Sequence, residues 1–347
     1  MSKNDLSVLK LKKKYNLNSK TLDIYKSFKK TLKDLKVSKT LAIAVSGGPD
    51  SLALCVLGKI YEEDTKIKVN YVLVNHNLRN NSTQEALLVK ALLKKKKIKL
   101  NIKINKKKIN KNIQKNAREV RYNLLLNFCK TNKIKFLLTA HHREDQIETF
   151  LIRLSRGSGV QGLSSMNKIT KLKHNIYLIR PLLKEKKMDL KFIAKSFFGK
   201  IFKDPSNNDK KYLRTKIRHL VKLFDKSGIA HERILKSISN LASTRDTLNT
   251  YINNFSKNFV KTKDKKKIID MKKILEESDE VKLRVISNEI KVVSKKYYPP
   301  RSAKVINLIK NLRYNENLKS TLAGCLIIRK GQKLIISKEV SKKKKKT

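Results

Sequence analysis

The sequence predicts an α/β fold: a doubly wound parallel five-stranded sheet, then a mainly helical region and a small C-terminal strand-rich segment. Three observations predict it. Short β-branched and apolar runs at 40–45, 66–74, 99–104, 134–140 and 176–180 alternate with helix-patterned stretches. Such alternation builds βαβ units, whose helices cover both faces of a parallel sheet. The first run stops at Ser46-Gly47-Gly48-Pro49-Asp50-Ser51 and passes directly into an apolar helical stretch at 52–60. After Gly228 the alternation ends, and long amphipathic patterns at 231–260, 280–297 and 301–313 precede short strand-like runs between 320 and 336.

In chain order, residues 1–36 are polar with short helical patterning and read as a helical lead-in. Ser82-Thr83-Gln84-Glu85 matches a capping box and predicts a helix over 82–97. A helix over 112–132 carries Asn116-Ala117-Arg118 and Arg121. The fourth strand ends at His141-His142-Arg143-Glu144-Asp145-Gln146-Ile147-Glu148-Thr149, which opens another helix running to Arg156-Gly157-Ser158-Gly159. Asp204-Pro205-Ser206-Asn207 is a turn, and the helix after it sets Leu213, Ile217, Leu220 and Phe224 on one stripe, with Arg214 and Arg218 beside it. The expected parts are a lead-in (1–36), a catalytic α/β domain (37–225), a helical region (226–315), a strand segment (316–341) and a basic tail (342–347). With strand order 3-2-1-4-5, strands one and four are neighbours where the order reverses. Ser46–Ser51 and 141–149 then face one crevice, the usual place for ligands in such sheets.

Composition bounds the partners. The chain has 84 Lys and Arg against 28 Asp and Glu, a formal charge of +56. That excess favours nucleic acid, although Lys scattered among many Asn and Ile also reads as compositional bias. No apolar run approaches the roughly 20 residues that cross a bilayer, and no signal peptide is read at the N-terminus. Cys55, Cys129 and Cys325 are isolated, without C-x-x-C spacing, which argues against a disulfide framework or a zinc ribbon. The cytoplasm is the expected compartment.

The chemistry concentrates at the two crevice stretches. A Gly-Gly turn between a strand and a helix N-terminus presents free N–H groups and a favourable dipole to phosphate. The Walker pattern is absent, so a kinase or GTPase loop is not expected. Asp50 reads either as a Mg²⁺ ligand at bound phosphates or as a helix cap. Arg118 and Arg121 lie three apart on one helix face, and a guanidinium fork suits phosphate oxygens. Glu144, Asp145 and Glu148 place carboxylates at a helix N-terminus. His141 and His142 with Asp145 read either as a metal cluster or as strand-end packing.

These motifs, in this order, resemble the tRNA(Ile)-lysidine synthetase family of the PP-loop ATP pyrophosphatase superfamily over about residues 40–220: Ser46–Ser51, Asn75-His76-Asn77-Leu78-Arg79, Asn116-Ala117-Arg118, His141-His142-x-x-Asp145-Gln146-x-Glu148-Thr149, Arg156–Gly159 and Asp204–Asn207. The resemblance implies a ligase that joins lysine to a wobble cytidine through an adenylated tRNA. It implies ATP and Mg²⁺ as cofactors, and tRNA(Ile) with a CAU anticodon and free lysine as partners. It implies no membrane, with a homodimer as one open assembly. It implies that Ser46, Gly47, Gly48, Pro49, Asp50 and Ser51 bind ATP, with Asp50 on the metal, and that Asp50, Arg118, Glu144, Asp145 and Arg214 are catalytic. His76, Arg79, Arg121, His141, His142, Glu148, Thr149, Arg156, Gly157, Ser158 and Gly159 are the implied substrate-binding set. The chain departs from the pattern at three points. Glu144 replaces the first of two adjacent Asp, Asn75 and Asn77 stand where Asp and Gly are common, and Arg214-Thr215 replaces Arg-Asn. The alternatives are a sulfur-transferring PP-loop enzyme, which calls for paired cysteines, and a non-catalytic basic RNA-binding protein, which calls for aromatic platforms.

Overall fold

The structure is a computed structural model and describes residues 14–15, 17–78, 81–105, 113–202, 213–296 and 299–339. Arg79, the turn at 204–207 and the tail at 342–347 lie outside the described residues. The chain divides into two compact units, Met1–Leu241 and Ala242–Thr347.

In the first unit, β1 (Thr40–Val45), β2 (Lys68–Asn75), β3 (Leu100–Ile104), β4 (Phe136–Leu138), β5 (Ile169–Lys171) and β6 (Tyr177–Ile179) form one sheet ordered β3-β2-β1-β4-β6-β5. Five strands are parallel and occur in the expected order, the fifth expected strand being β6. The sheet carries one strand more than expected: β5 pairs antiparallel with β6 at the edge. Its three residues, Ile-Thr-Lys, are too few to show a period, which is why the pattern in the sequence passes over them. Ile43 pairs with Tyr71 on one side and Leu138 on the other, so β1 is central and the order reverses between β1 and β4.

The helices of this unit are α1 (Ser19–Asp34), α2 (Pro49–Thr65), α3 (Ser82–Lys95), α4 (Ile113–Thr131), α5 (Arg143–Leu154), α6 (Val160–Leu163), α7 (Lys187–Phe198) and α8 (Leu213–Lys226), with α9 (His231–Phe259) running into the second unit. Helix α2 is buried on nearly every side, from Leu52 through Leu57 to Ile60, as expected of a helix apolar all round. Gly58 permits its close approach to β1, since a Cβ there would sit 2.4 Å from Ile43 Cδ1. Helix α1 is part of this core: Tyr25, Phe28 and Leu32 are buried against the same cluster, each such side chain contributing roughly 1.5–3 kcal/mol. The Tyr25 hydroxyl donates to Asp64 at 2.5 Å, and Lys29 pairs with the same carboxylate at 2.6 Å. The opposite sheet face is covered by Leu125, Leu126, Phe128 and Cys129 of α4, packed with Ala42, Val72 and Leu137. Helix α3 begins at Ser82 as expected and ends at Lys95, with Asn81 rather than Ser82 at the N-cap.

In the second unit, β7 (Val260–Lys263) and β8 (Lys266–Asp270) join β9 (Lys319–Leu322), β10 (Cys325–Lys330) and β11 (Lys333–Lys338) in an antiparallel sheet ordered β7-β8-β11-β10-β9. The sequence expectation has the last three of these strands alone; β7 is Lys-rich and exposed, which hides its alternation. Helices α10 (Met271–Glu276), α11 (Asp279–Ser294) and α12 (Ser302–Tyr314) supply Ile274, Val285, Ile286, Ile290 and Val305 to a core shared with Ile269, Ile327 and Ile336. Among the described residues no helix is long and apolar enough to cross a membrane.

Candidate active site

The turn after β1 is shaped by one glycine. Gly47 has φ +85°, and a Cβ there would meet Val89 Cγ2 at 2.7 Å. Gly48 has ordinary backbone angles and serves as N-cap of α2, with Pro49 at its first turn. Ser51 closes the turn internally: its hydroxyl donates to Gly48 O at 2.9 Å and accepts from Ser46 N at 3.2 Å. Asp50 therefore is not the cap of α2. Its Oδ1 is buried without a hydrogen-bond partner, a state that is costly for a carboxylate oxygen and suits a cation.

The turn after β4 brings a second set. His142 is 2% exposed; its Nδ1 lies 3.0 Å from Glu144 Oε2, and its Nε2 lies 3.5 Å from Asp145 Oδ2 and 3.6 Å from Asp50 Oδ2. Burial pulls its pKa down, but the carboxylates of Asp50, Glu144 and Asp145 around the ring outweigh this, and it is pushed up to about 10. His141 is the reverse case. Burial and the guanidiniums of Arg180, Arg214 and Arg118 outweigh Asp145 and lower it to about 3, leaving a neutral ring whose Nδ1 lies 2.9 Å from Thr139 Oγ1. Two adjacent histidines thus hold different charge states, one neutral and one cationic.

Each carboxylate on α5 has defined partners. Glu144 accepts the Lys187 N–H at the start of α7, at 3.0 Å, as well as facing His142. Asp145 Oδ2 accepts the His142 backbone N–H at 3.2 Å, the reach-back of an N3 acid to the N-cap. Asp145 Oδ1 accepts Arg214 Nη2 at 2.9 Å. Glu148 is buried, with Arg214 Nε on one oxygen and Arg218 Nε on the other, both at 2.7 Å. Burial works against the charge of Asp145, but His142 and Arg214 hold its pKa below the ordinary range.

A guanidinium group lies beside this cluster. Arg118 and Arg121 flank the Tyr122 ring, with Cζ atoms 5.1 and 5.9 Å from its centroid. Burial, then Arg118 and Arg214, lower the pKa of Arg121; burial, then Arg118, lower that of Arg153. Guanidiniums gathered closely enough to lower Arg121 and Arg153 mark a place suited to an anion. His76, at the end of β2, is half-buried and is lowered by burial and by Arg121. Asn75 Oδ1 accepts the Asn77 N–H at 2.9 Å, closing a turn in which Asn77 has φ +53°. Asn tolerates that region, which accounts for its standing where Gly is common.

The structure therefore joins Asp50, His142, Glu144, Asp145, Glu148 and Arg214 in one cluster. Arg156, Gly157, Ser158 and Gly159 form the turn after α5, about 18 Å along that helix from its N-terminus. Thr149 is half-buried on α5. Three residues outside the expected set hold the site together. Arg153 donates to Gly162 O at 2.7 Å and Ser165 O at 2.9 Å, bracing the turn. Arg180, buried at the end of β6, donates to Asn167 O at 2.7 Å. Arg218 shares Glu148, and its position four residues after Arg214 is the signal that pointed to it. Among the described residues no group of three or more His, Cys, Asp or Glu could hold a metal. A hard cation here would take Asp50 and complete its shell with phosphate oxygens and water, as Mg²⁺ commonly does.

A PP-loop domain model matches residues 20–223. The chain is 36% identical over 307 residues to a tRNA(Ile)-lysidine synthase from Wolbachia pipientis wMel, covering 87% of this chain and 71% of that protein. It is 35% identical over 314 residues to one from Orientia tsutsugamushi (strain Boryong), covering 86% and 69%. Among solved structures, the U34-tRNA thiolase NcsA from Methanococcus maripaludis superposes with TM-score 0.54 at 19% identity, over 64% of this chain and 79% of that one, a likeness of fold. An ATP-using PP-loop domain and relatives matched over most of both chains lead to one conclusion: this tRNA-modifying enzyme of the ligase type belongs to the tRNA(Ile)-lysidine synthase family.

Proposed function

We propose that the protein ligates lysine to the wobble cytidine of tRNA(Ile) with a CAU anticodon, in two steps within the crevice after β1 and β4. The ring carbonyl oxygen of the cytidine attacks the α-phosphorus of ATP; the bond to the β-phosphate oxygen breaks and pyrophosphate leaves. The lysine ε-amine, having lost a proton, then forms the C–N bond at that ring carbon, and AMP departs with the former carbonyl oxygen. The observation that carries this reading is the junction of an anion-binding turn with a carboxylate cluster, at Asp50 and His142.

In this reading the Ser46–Ser51 turn cradles the leaving pyrophosphate through its backbone N–H groups. Arg118 and Arg121 hold non-bridging phosphate oxygens as charge shifts onto them. Asp50 would hold Mg²⁺, which when bound would supply charge neutralisation at the phosphates. Asp145 receives the amine. Glu144 has both a helix N–H and His142 as partners, so its work is to set His142. The Ala242–Thr347 unit grips the tRNA body, and the protein works in the cytoplasm.

A sulfur-transfer reading requires a reactive thiol in the crevice. Cys55 and Cys129 are instead buried in the hydrophobic clusters on the sheet faces, and burial pushes the Cys129 thiol up to about 12. The test is incubation with tRNA(Ile), ATP and labelled lysine. Label is expected in RNA with AMP and pyrophosphate released in equal amounts; ATP-dependent modification without lysine label would overturn the reading.

A further inference from the structure

Helices α5 and α8 pack through Ile147 and Leu151 against Ile217 and Val221. Beside that apolar contact stand four charges in register. Asp145 and Glu148 are three apart on α5, and Arg214 and Arg218 are four apart on α8, so each pair lies along one helix face. Arg214 splits its guanidinium, giving Nη2 to Asp145 at 2.9 Å and Nε to Glu148 at 2.7 Å. Arg218 gives its Nε to the other oxygen of Glu148 at 2.7 Å. The bond path from Arg218 to Asp145 thus runs through Glu148 and Arg214.

A lone guanidinium and a lone carboxylate prefer a two-pronged fork. Here Asp145 receives one prong because Glu148 takes the other, and Glu148 in turn is shared with Arg218. Glu148 is 3% exposed with an arginine on each oxygen, so it has little left to offer an incoming amine.

We propose that Glu148 and Arg218 are positioning residues that set how much of the Arg214 charge Asp145 feels, and thereby set the affinity for the lysine amine. The inference rests on the reading of Asp145 as the group that receives lysine. Its consequence is a pair of opposite effects. Removing the charge of Glu148 lets Arg214 fork fully onto Asp145, neutralising it toward an ammonium group. Removing the charge of Arg218 leaves Glu148 undercompensated, so it draws Arg214 away and Asp145 becomes the stronger attractor.

The test measures lysine KM and kcat with tRNA(Ile) and ATP for E148Q, R218Q, R218K and E148Q/R218Q. Lysine KM is expected to rise in E148Q and fall in R218Q, each by about threefold to tenfold, the scale of one charge across a part-exposed ion pair. R218K is expected to lie near the wild type. The double variant, which removes one charge of each sign, is expected to return toward the wild-type KM, a coupling that a double-mutant cycle reads directly. A purely structural brace predicts that R218Q raises KM and that the double variant is at least as impaired as E148Q; either result overturns the proposal. Where E148Q does not fold, the direction of the R218Q effect decides alone, since Arg218 is part-exposed. Where turnover is lost, equilibrium binding of labelled lysine supplies the same comparison. A wild-type protein that transfers no lysine would instead refute the reaction itself.

Discussion

His142 Nε2 lies 3.6 Å from Asp50 Oδ2, and this contact ties the turn after β1 to the turn after β4. The two strands are neighbours because the sheet order reverses between them. A glycine turn suited to anions and a helix N-terminus rich in carboxylates therefore meet at one point, linked by a buried imidazolium.

Asp50→Asn keeps the shape of the side chain and removes its charge. Pyrophosphate and AMP release are expected to fall by roughly 10²–10³-fold, the scale for losing one preorganised charge at a reacting centre, while tRNA affinity stays nearly unchanged. Product assays and a tRNA-binding titration check this. Turnover like the wild type would leave Asp50 as no more than a first-turn acid on the helix dipole.

The two glycines of the turn are expected to behave differently. Gly47→Ala must place a methyl group 2.7 Å from Val89 Cγ2 at φ +85°, with an expected loss of about 2–4 kcal/mol from backbone strain and overpacking. Adding Val89→Ala should relieve the clash and leave the backbone strain. Gly48→Ala meets nothing nearer than Ser46 Oγ at 3.8 Å and is expected to fold normally, with weaker ATP binding as its only loss. Thermal unfolding and ATP titration separate the two.

The neighbouring histidines set opposite pH limbs of stability. His142 is raised to about 10, so its contribution is complete below about pH 6.5 and is lost as pH rises toward 10. His141 is lowered to about 3, so its contribution is complete above about pH 6.5 and is lost as pH falls toward 3. Each limb has a slope of at most about 1.4 kcal/mol per pH unit. Denaturant unfolding across pH should show a flatter alkaline limb in His142→Gln and a flatter acid limb in His141→Gln. An unchanged alkaline limb in His142→Gln would mean that the carboxylates around it do not hold its proton.

Arg118→Ala is expected to lower adenylation of tRNA by about 10²–10³-fold. Arg118→Lys should recover little, because a point charge cannot reproduce a planar fork. Pyrophosphate release without lysine measures this, and full rescue by Lys would reduce the role of Arg118 to general electrostatics.

In the second unit, Lys291, Lys295 and Lys296 line an open cavity of about 500 Å³ with Asn253, Ser256 and Asn288. Changing Lys291 and Lys295 to Gln is expected to weaken tRNA binding and to reduce its salt slope by about one per lost phosphate contact, with lysine KM unaltered. A salt titration of tRNA affinity tests this; an unchanged slope would place the tRNA grip elsewhere.

The local code of the chain was sufficient for the five parallel strands of the sheet and their order. Strand 40–45, the glycine turn and helix α2 follow from apolar period and turn chemistry, which act within a few residues and so stand in the sequence itself. The acids of α5 were legible because an N-terminal helical turn favours them. The partners of those acids were not legible. Glu148 meets Arg214 and Arg218 across 66 and 70 residues, and Glu144 meets the start of α7 across 43. Nothing local distinguishes these from solvated charges on a helix. The added strands β5, β7 and β8 are likewise short, of three to five residues, and neighbouring strands that complete their hydrogen bonding stabilise them rather than any period of their own. The charge of His142 is the clearest case. Two identical residues side by side became an imidazolium and a neutral ring because folding surrounded one with carboxylates and buried the other near guanidiniums. A shift of that kind depends on which groups are near in space, and only the tertiary structure decided it.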